Sequence, residues 1–292
     1  MPRDRLRDEA DAMPQIHPTA VVHKAAELAD DVSVGPYCVV GDGVRLGAGT
    51  VLHNHVTVEG PTVLGEENEV FPYAVLGAAP QDLKYLGHET SLIVGDRNKI
   101  REHCTIHRGT EFGGSKTTIA DDCLLMVGVH VAHDCRLESG VVIANNSMLG
   151  GHCLVEEGAT IAGGVGVHHF TTVSRLAFVG GMSRIAKDVA PYVVVEGNPA
   201  EVRKLNTVAL VRRLWSVEKV EALRSAFRLL YRSPKLTTRD AIELIREEAA
   251  EAAASNAEMG EVFEPVLELC GFVERVEAGV HGRYLESRRP GK

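Results

Sequence analysis

A six-residue repeat runs through residues 119–154, which read IADDCL LMVGVH VAHDCR LESGVV IANNSM LGGHCL. Each group of six opens with Ile, Leu or Val. The same step recurs over residues 16–76, 94–106 and 119–185 without a polar residue at the opening position. Neither an α-helix, with its period of about 3.6, nor an alternating strand has a period of six. The repeat therefore indicates a different regular structure.

The repeat predicts a coil of short parallel strands. Three strands would close one turn of the coil, so that residues 18 apart stack in neighbouring turns. Glycine often follows the opening residue, as at Gly150, and we expect it there because a sharp corner needs permissive backbone angles. Such repeats resemble those of left-handed parallel β-helices, and the resemblance supplies the handedness, which departs from the usual right-handed rule. The predicted fold is mainly β.

Two stretches break the repeat, and a helical period replaces it after residue 200. Leu223 and Phe227 belong to an apolar stripe that predicts the first of three helices. The last 15 residues are expected to be disordered. The predicted divisions are an N-terminal extension over 1–15, the β-helix over 16–200 with insertions at 78–92 and 108–118, and a C-terminal helical domain with a tail over 201–292.

The composition is that of a globular protein. Of the 292 residues, 45% are hydrophobic and 24% are charged, which excludes the disordered and collagen-like classes. The net charge of −9 disfavours a general nucleic-acid-binding protein. No apolar run approaches the roughly 18 residues that a membrane span needs, and the first residues do not resemble a signal peptide. We therefore expect a cytoplasmic protein.

The cysteines fill small, inward-facing positions of the repeat. Five of the six occur there: Cys38, Cys104, Cys123, Cys135 and Cys153. Buried cysteine behaves as a small hydrophobic residue. We therefore expect no disulfide and no catalytic cysteine in this chain.

A group of histidines marks the best candidate site. Counting by 18 aligns His133 with Gly151 and His169, and it aligns Asp134 with His152 and Phe170. A histidine can act as a general base, and a neighbouring carboxylate can orient its ring. Gly151 would let a substrate approach the backbone N–H. The pattern leaves three interpretations open, namely a catalytic site, a structural histidine ladder and a three-histidine metal site.

Several motifs resemble those of one enzyme family. They are QDLKY at 81–85, GDRNKIRE at 95–102, TIHRGT at 105–110, HVAHDC at 130–135 and GN at 197–198. With the helical C-terminal domain, they resemble the acyl-[acyl-carrier-protein]–UDP-N-acetylglucosamine O-acyltransferases, which begin lipid A synthesis. The resemblance implies transfer of a 3-hydroxyacyl chain from acyl carrier protein to the 3-hydroxyl of UDP-N-acetylglucosamine, with neither a cofactor nor a metal.

The resemblance also implies roles for individual residues. His133 would be the general base, Asp134 would orient it, and the Gly151 N–H would donate to the oxyanion. Gly181 would leave room for a longer acyl chain. The residues implied to hold the sugar and the diphosphate are Gln81, Asp82, Lys84, His130, His152, His168 and His169, and those implied to contact the nucleotide are Asn206, Arg212 and Arg213.

The implied partners are other copies of the chain and acyl carrier protein. The family forms homotrimers with sites between subunits, in line with closed cyclic assembly. Residues 203–235 contain nine Lys or Arg and two Asp or Glu. Because acyl carrier protein is acidic, this basic stretch is the predicted docking surface.

Three positions depart from the family pattern. Pro199, Val208 and His169 stand where a polar residue, a glutamate and a glutamine are usual. These changes leave the acceptor open, so that a relative acylating a different UDP-sugar, for instance on an amino group, is the first alternative. The others are a zinc-dependent hydratase that uses three histidines and a catalytically silent trimeric binding protein.

Overall fold

The structure, a computed structural model, describes residues 13–289. Short strands wind around a three-sided prism, and the strands of each side are parallel except for an antiparallel hairpin at the end of one sheet. Within the described residues, sheet 1 has eleven strands, sheet 2 has nine and sheet 3 has eight. Most of the predicted N-terminal extension lies outside the described residues.

The strands are two to six residues long. In sheet 1 they are Gln15–Ile16, Ser33–Val34, Val51–Leu52, Glu69–Val70, Lys99–Ile100, Leu124–Leu125, Val142–Ile143, Thr160–Ile161, Phe178–Val179, Val193–Gly197 and Ala200–Leu205. In sheet 2 they are Val21–Val22, Val39–Val40, Thr57–Val58, Val75–Ala78, Thr105–His107, His130–Val131, Met148–Leu149, Gly166–Val167 and Arg184–Ile185. In sheet 3 they are Glu27–Leu28, Val44–Leu46, Thr62–Leu64, Ser91–Val94, Lys116–Ile119, Arg136–Leu137, Leu154–Val155 and Thr172–Val173.

The strand register follows the predicted step of 18 residues. Ile16, for example, pairs with Val34. From the second turn onward the opening aliphatic residues are buried inside the prism, where they form its core. Two steps are longer, because Val70 pairs with Ile100 and Ile100 pairs with Leu125. The extra residues in these two turns are the insertions.

Both insertions leave the prism at the same corner. They cover residues 79–90 and 108–115, and each joins a strand of sheet 2 to a strand of sheet 3. The predicted ranges 78–92 and 108–118 were too long, because polar residues in the strands Ser91–Val94 and Lys116–Ile119 hide the repeat. We call this edge of the prism the 2–3 corner, and we name the 3–1 and 1–2 corners in the same way.

The predicted reason for glycine after the opening residue holds at Gly77, which has a φ of 77°, but not at Gly150. Gly150 has no positive φ, whereas His152, two residues later, has a φ of 61°. A Cβ atom on Gly150 would lie 2.8 Å from the backbone nitrogen of His169 in the next turn. Glycine is needed at this position because neighbouring turns stack closely, rather than for its backbone angles.

An antiparallel hairpin, Val193–Gly197 with Ala200–Leu205, leads from the coil to the helices. The strands therefore extend past the predicted boundary at residue 200. The helices are α1 (Thr207–Arg212), α2 (Val217–Arg232), α3 (Thr238–Ser255), α4 (Ala257–Glu277) and α5 (Tyr284–Ser287). Buried residues such as Leu223, Ile245 and Leu269 lie between α2, α3 and α4. No helix among the described residues is long and apolar enough to cross a membrane.

The expectation of a disordered tail is wrong for residues 278–289. The Arg283 guanidinium donates to the Ala186 carbonyl oxygen at 2.9 Å, and the Tyr284 N–H donates to Asp188 Oδ2 at 2.8 Å. These bonds tie the end of the chain to the last turn of the coil. They join residues almost a hundred positions apart, so no local pattern in the sequence predicts them.

Candidate active site

The 2–3 corner carries nearly all the residues predicted to touch the sugar. Both insertions start here, and three successive turns add residues 132–135, 150–153 and 168–171. His130 lies on sheet 2 just before the corner. The predicted residues at or beside this edge are Gln81, Asp82, Lys84, His130, His133, Asp134, Gly151, His152, His168 and His169.

His133 and Asp134 form a hydrogen-bonded pair at this corner. His133 Nδ1 lies 2.7 Å from Asp134 Oδ2. The Asp134 side chain is fully buried, whereas the His133 side chain keeps 14% of its surface exposed. When Nδ1 carries the proton and donates a hydrogen bond to the carboxylate, His133 Nε2 has a free lone pair and can accept a proton. The pair thus has the arrangement of an oriented general base.

Thr110, from the second insertion, holds the Asp134 carboxylate. The Thr110 N–H donates to Asp134 Oδ1 at 2.8 Å, and the Thr110 hydroxyl donates to Asp134 Oδ2 at 2.6 Å. Both carboxylate oxygens therefore have donors, which stabilise the buried charge. No motif in the sequence predicts this role. Thr110 ends the TIHRGT motif, but its position against Asp134 depends on the path of the insertion.

Two glycines allow other parts of the chain to approach the pair closely. A Cβ atom on Gly151 would lie 2.6 Å from His133 Cε1, and one on Gly113 would overlap the Asp134 carboxyl group. The Gly151 N–H has no hydrogen-bond acceptor in the part of the chain that the structure describes. A backbone donor is therefore available next to the His133 ring.

His152 packs against the pair from the next turn. Its ring meets that of His133 edge to face with centroids 5.1 Å apart, and it stacks on Phe170 at 4.2 Å. Burial lowers the pKa of His152 below its ordinary value. The ring is therefore neutral at neutral pH, and it can donate or accept a hydrogen bond.

The first insertion brings a second carboxylate towards the base. Asp82 Oδ2 lies 4.0 Å from His133 Nε2. The other oxygen of Asp82 accepts a hydrogen bond from the Lys84 N–H at 2.9 Å. The side chains of Gln81 and Lys84 are exposed. These residues form a polar rim on the open side of His133.

His130 and His168 lie on the sheet 2 side of the corner. His130 Nδ1 is 2.8 Å from Thr105 Oγ1, and burial lowers the pKa of His130. Both histidines line a cavity of about 420 Å³ that follows the face of sheet 2, together with Met148 and Gly166. This cavity opens next to the turn that carries His133.

The end of the chain forms the opposite side of the corner. His169 Nε2 lies 3.7 Å from Glu286 Oε2, and the Arg289 guanidinium lies 5.4 Å from the centre of the Phe170 ring. Residues 280–289, which we call the C-terminal segment, help His152 to line a second cavity of about 410 Å³. Sequence reasoning missed these residues because it assigned them to a disordered tail.

Four predicted residues lie elsewhere in a single chain: Asn206, Arg212, Arg213 and Gly181. At the 3–1 corner, the Asn206 amide donates to the Leu176 carbonyl oxygen at 2.8 Å, and Arg213 Nη1 lies 3.3 Å from Glu157 Oε1. Arg212 ends α1 beside them, and Gly181 lies at the 1–2 corner. Within one chain, the residues predicted to contact the nucleotide and to set the acyl length therefore lie at different corners from His133.

Metal ligation was one of the interpretations that the histidine pattern left open. His133, Asp134 and His152 offer donor atoms within 4.8 Å of one another, and they are the only such group in the described residues. Neither His168 nor His169 belongs to this group. The described residues of a single chain therefore do not bring together three histidines as the zinc interpretation expects.

The six cysteines are all free and buried. Burial raises the pKa of Cys104 and of Cys123 to about 11. Because the thiolate is the nucleophilic form of cysteine, buried neutral thiols of this kind are unreactive. The raised pKa values disfavour a catalytic role for these two thiols.

Known proteins match this chain over most of its length. Residues 188–281 match the model of the second domain of UDP-N-acetylglucosamine O-acyltransferase, and residues 25–60 and 116–151 match the bacterial transferase hexapeptide model. An acyl-[acyl-carrier-protein]–UDP-N-acetylglucosamine O-acyltransferase from Synechocystis sp. is 51% identical over 230 residues. The match covers 79% of this chain and 83% of the relative.

Solved structures of the same kind superpose on the chain. LpxA from Acinetobacter baumannii is 40% identical, with a TM-score of 0.79 over 87% of this chain and 96% of that one. LpxA from Bacteroides fragilis, a UDP-N-acetylglucosamine acyltransferase, is 32% identical, with a TM-score of 0.82 over 89% of this chain and 97% of that one. With the hexapeptide match, these structures confirm the predicted left-handed parallel β-helix.

A left-handed β-helix of hexapeptide repeats, with a His–Asp pair contacted by two insertions, defines an acyltransferase of the hexapeptide class. More narrowly, the chain belongs to the acyl-[acyl-carrier-protein]–UDP-N-acetylglucosamine O-acyltransferase family. The family inferred from the sequence motifs is thereby confirmed.

Proposed function

We propose that this enzyme transfers a 3-hydroxyacyl chain from acyl carrier protein to the 3-hydroxyl of UDP-N-acetylglucosamine. The observation that carries the proposal is the His133–Asp134 pair, whose free Nε2 lies beside the polar first insertion. The Synechocystis relative bears the name of this activity, and its 51% identity over 79% of this chain supports the same pair of substrates.

His133 is the general base of the proposed reaction. Its Nε2 takes the proton of the sugar hydroxyl while the hydroxyl oxygen attacks the carbonyl carbon of the thioester. The C–S bond then breaks, and the proton passes from His133 to the departing thiolate of the carrier. An ester replaces the thioester without an acyl-enzyme intermediate. A positioned base of this kind contributes about 10²–10⁴ in rate.

Asp134 and Gly151 stabilise the two charged groups that form during the reaction, which are the imidazolium of His133 and the oxyanion of the tetrahedral intermediate. Asp134 is buried and bonded to Thr110, so it holds the imidazole in one orientation and stabilises the imidazolium that forms. The Gly151 N–H donates to the oxyanion of the tetrahedral intermediate. One such donor contributes about 10²–10³ in rate.

The separation of the candidate residues supports a homotrimer with sites between subunits. Asn206 and Arg213 contact the 3–1 corner of the prism, whereas His133 lies at the 2–3 corner. We infer that a nucleotide sugar touching both sets lies between two copies of the chain, and closed cyclic assembly supplies that arrangement. Asn206 also caps α1, which fixes the direction of its side chain.

The acyl chain is proposed to follow the face of sheet 2. The cavity between His130 and His168 is open there, because an added Cβ on Gly166 would contact nothing within 4 Å. Gly181 lies farther along, at the 1–2 corner, where an added Cβ would come to 3.4 Å from the Gly163 carbonyl oxygen. Glycine at this position leaves room for the longer chain implied by the family resemblance.

Acyl carrier protein is proposed to dock on the basic residues of α2. Arg228 is exposed, whereas Arg224 pairs with Glu221 and Arg232 donates to the Arg203 carbonyl oxygen. Arg228 is therefore the arginine of this face with most freedom to meet an acidic partner. Complementary charge of this kind mainly raises the rate of association.

A different UDP-sugar is the second candidate acceptor. Val208 is 60% exposed on α1, next to Asn206, where the family usually has a glutamate. Pro199 occupies the tip of the hairpin that precedes α1. Both changes lie in the stretch implied to contact the nucleotide sugar rather than at the His133–Asp134 pair.

A transfer assay tests the proposed function. Purified protein is mixed with 3-hydroxyacyl carrier proteins of several lengths and with a panel of UDP-sugars that includes UDP-N-acetylglucosamine and its 3-amino analogue. We expect transfer to UDP-N-acetylglucosamine, which would exclude a silent binding protein. Transfer only to the amino sugar would favour the second candidate. Stoichiometric zinc in protein purified without added metal would contradict the proposed mechanism.

A further inference from the structure

The C-terminal segment has a defined position over the 2–3 corner. The Asp188 N–H donates to the Gly282 carbonyl oxygen at 2.8 Å, and Asp188 Oδ2 accepts from the Tyr284 N–H at 2.8 Å. Between these two bonds, Arg283 donates to the Ala186 carbonyl oxygen at 2.9 Å. The backbone is therefore fixed on both sides of Arg283, and the residues that follow form one wall of the cavity beside His152.

This cavity carries excess positive charge. Arg136, Arg288 and Arg289 line it, against the single carboxylate of Asp134. Arg136 is compensated by Glu138, whose Oε1 lies 3.1 Å away. The remaining two guanidinium groups belong to the C-terminal segment. In a chain with a net charge of −9, such a local excess indicates a place where an anion is attracted.

Both guanidinium groups are held in place. Arg289 lies over the Phe170 ring, and Arg288 lies over the Tyr284 ring at 4.7 Å. Arg289 Nη1 is 3.7 Å from Glu286 Oε1, but the same carboxylate lies 3.5 Å from Arg283. Asp188 also faces Arg283, so that Glu286 and Asp188 together balance Arg283 and Arg289, and the guanidinium group of Arg288 carries the remaining positive charge. Holding the side chains in advance lowers the entropy cost of binding an anion.

The cavity lies next to the proposed chemistry. His152 lines it, and the His152 ring is in edge contact with His133. Both proposed substrates carry phosphate: the sugar nucleotide has a diphosphate close to its reacting hydroxyl, and the arm of acyl carrier protein is attached through a phosphodiester at the end far from the thioester. A guanidinium group suits phosphate because it can donate two parallel hydrogen bonds.

We propose that Arg288 and Arg289 bind a phosphate group of one of the two substrates in the cavity beside His152. The inference rests on the proposed function and adds binding residues from a part of the chain that no sequence pattern connected with the site. By holding the phosphate, the C-terminal segment fixes the distance between the substrate and the His133–Asp134 pair.

Steady-state kinetics of two double variants test this role. Arg288→Gln/Arg289→Gln removes the charges, and Arg288→Lys/Arg289→Lys keeps them. We expect the glutamine variant to raise KM for one substrate about tenfold or more, with kcat within about threefold of wild type, and the lysine variant to restore part of the loss. Arg239→Gln, at a side chain 87% exposed on α3, is the control.

The identity of the affected substrate distinguishes the two phosphates. A higher KM for UDP-N-acetylglucosamine assigns the diphosphate, and a higher KM for acyl carrier protein assigns the phosphodiester. Unchanged KM values for both substrates, or a fall in kcat alone, would overturn the inference. Calorimetric titration with each substrate measures binding without turnover. A wild-type protein that binds but does not transfer would therefore contradict only the proposed function.

Discussion

His133 and Asp134 are neighbours in the chain, and yet their side chains bond to each other, with Nδ1 2.7 Å from Oδ2. The bond is possible because Asp134 has a left-handed backbone with a φ of 61°. His152 and Phe170 have the same conformation at the corresponding positions of the next two turns, with φ of 61° and 59°. Aspartate tolerates it better than most residues. The corner of the β-helix thus supplies the geometry of the pair.

Replacing Thr110 tests whether the support of Asp134 matters. Thr110→Val removes the hydroxyl that donates to Asp134 Oδ2 and keeps the shape of the side chain. We expect kcat to fall about tenfold, because a hydrogen bond to a buried charge is lost. Thr110→Ser keeps the hydroxyl and should retain most of the activity. An unchanged kcat in the valine variant would show that this bond has no part in transfer.

Replacing Gly151 tests the space around the base. The added methyl group of Gly151→Ala would lie 2.6 Å from His133 Cε1, so the ring must move. We expect kcat/KM to fall about 100-fold, since small displacements of reacting groups have effects of this size. Gly271→Ala, on α4, is the matched control, and circular dichroism verifies the fold. Full activity in the Gly151 variant would contradict the proposed arrangement.

Reversing the charge of Arg228 tests the docking surface. Arg228→Glu should raise KM for acyl carrier protein about tenfold and leave KM for UDP-N-acetylglucosamine unchanged, because only the protein substrate meets α2. The difference should shrink as salt is added. Arg239→Glu on α3 controls for a general change of charge. Equal effects of the two variants would argue against a specific surface on α2.

The stability of the protein should depend on the protonation of His107. Burial lowers the pKa of His107 from 6.5 to about 4. Between these values the unfolded state binds a proton that the folded state does not bind. The free energy of unfolding is therefore unaffected above pH 7 and falls by about 2 kcal/mol by pH 5 from this residue alone.

Urea unfolding of wild type and His107→Gln at pH 7 and pH 5 measures this contribution. The variant should lose less stability on acidification than wild type, by about 2 kcal/mol. His17→Gln, at an exposed position, is the control for replacing a histidine. Equal pH responses of wild type and the His107 variant would exclude the effect.

The period of six was sufficient to predict the coil and the column that joins His133, Gly151 and His169. It was sufficient because every turn of the coil repeats the same local pattern, in which aliphatic and small residues occupy fixed positions. Thr110 could not be placed in this way, since the insertion that carries it has no repeat. Arg289 could not be placed either, because contacts made across the whole chain order the C-terminal segment.

The same limit applies to the residues that we propose to meet across two copies of the chain. Asn206 and Arg213 were predicted to contact the nucleotide, but a single prism holds them at a different corner from His133. Counting by 18 relates residues along one edge of the coil. It does not relate two edges, and it carries no information on how subunits meet.

The acyl-transfer rate of His133→Ala tests whether His133 is the general base. The rate is measured with saturating UDP-N-acetylglucosamine and 3-hydroxyacyl carrier protein, beside wild type and the control His17→Ala. With fold and assembly intact, we expect the His133 variant to lose about 10²–10⁴ in rate while the control remains active. Transfer by His133→Ala at the wild-type rate would contradict the account.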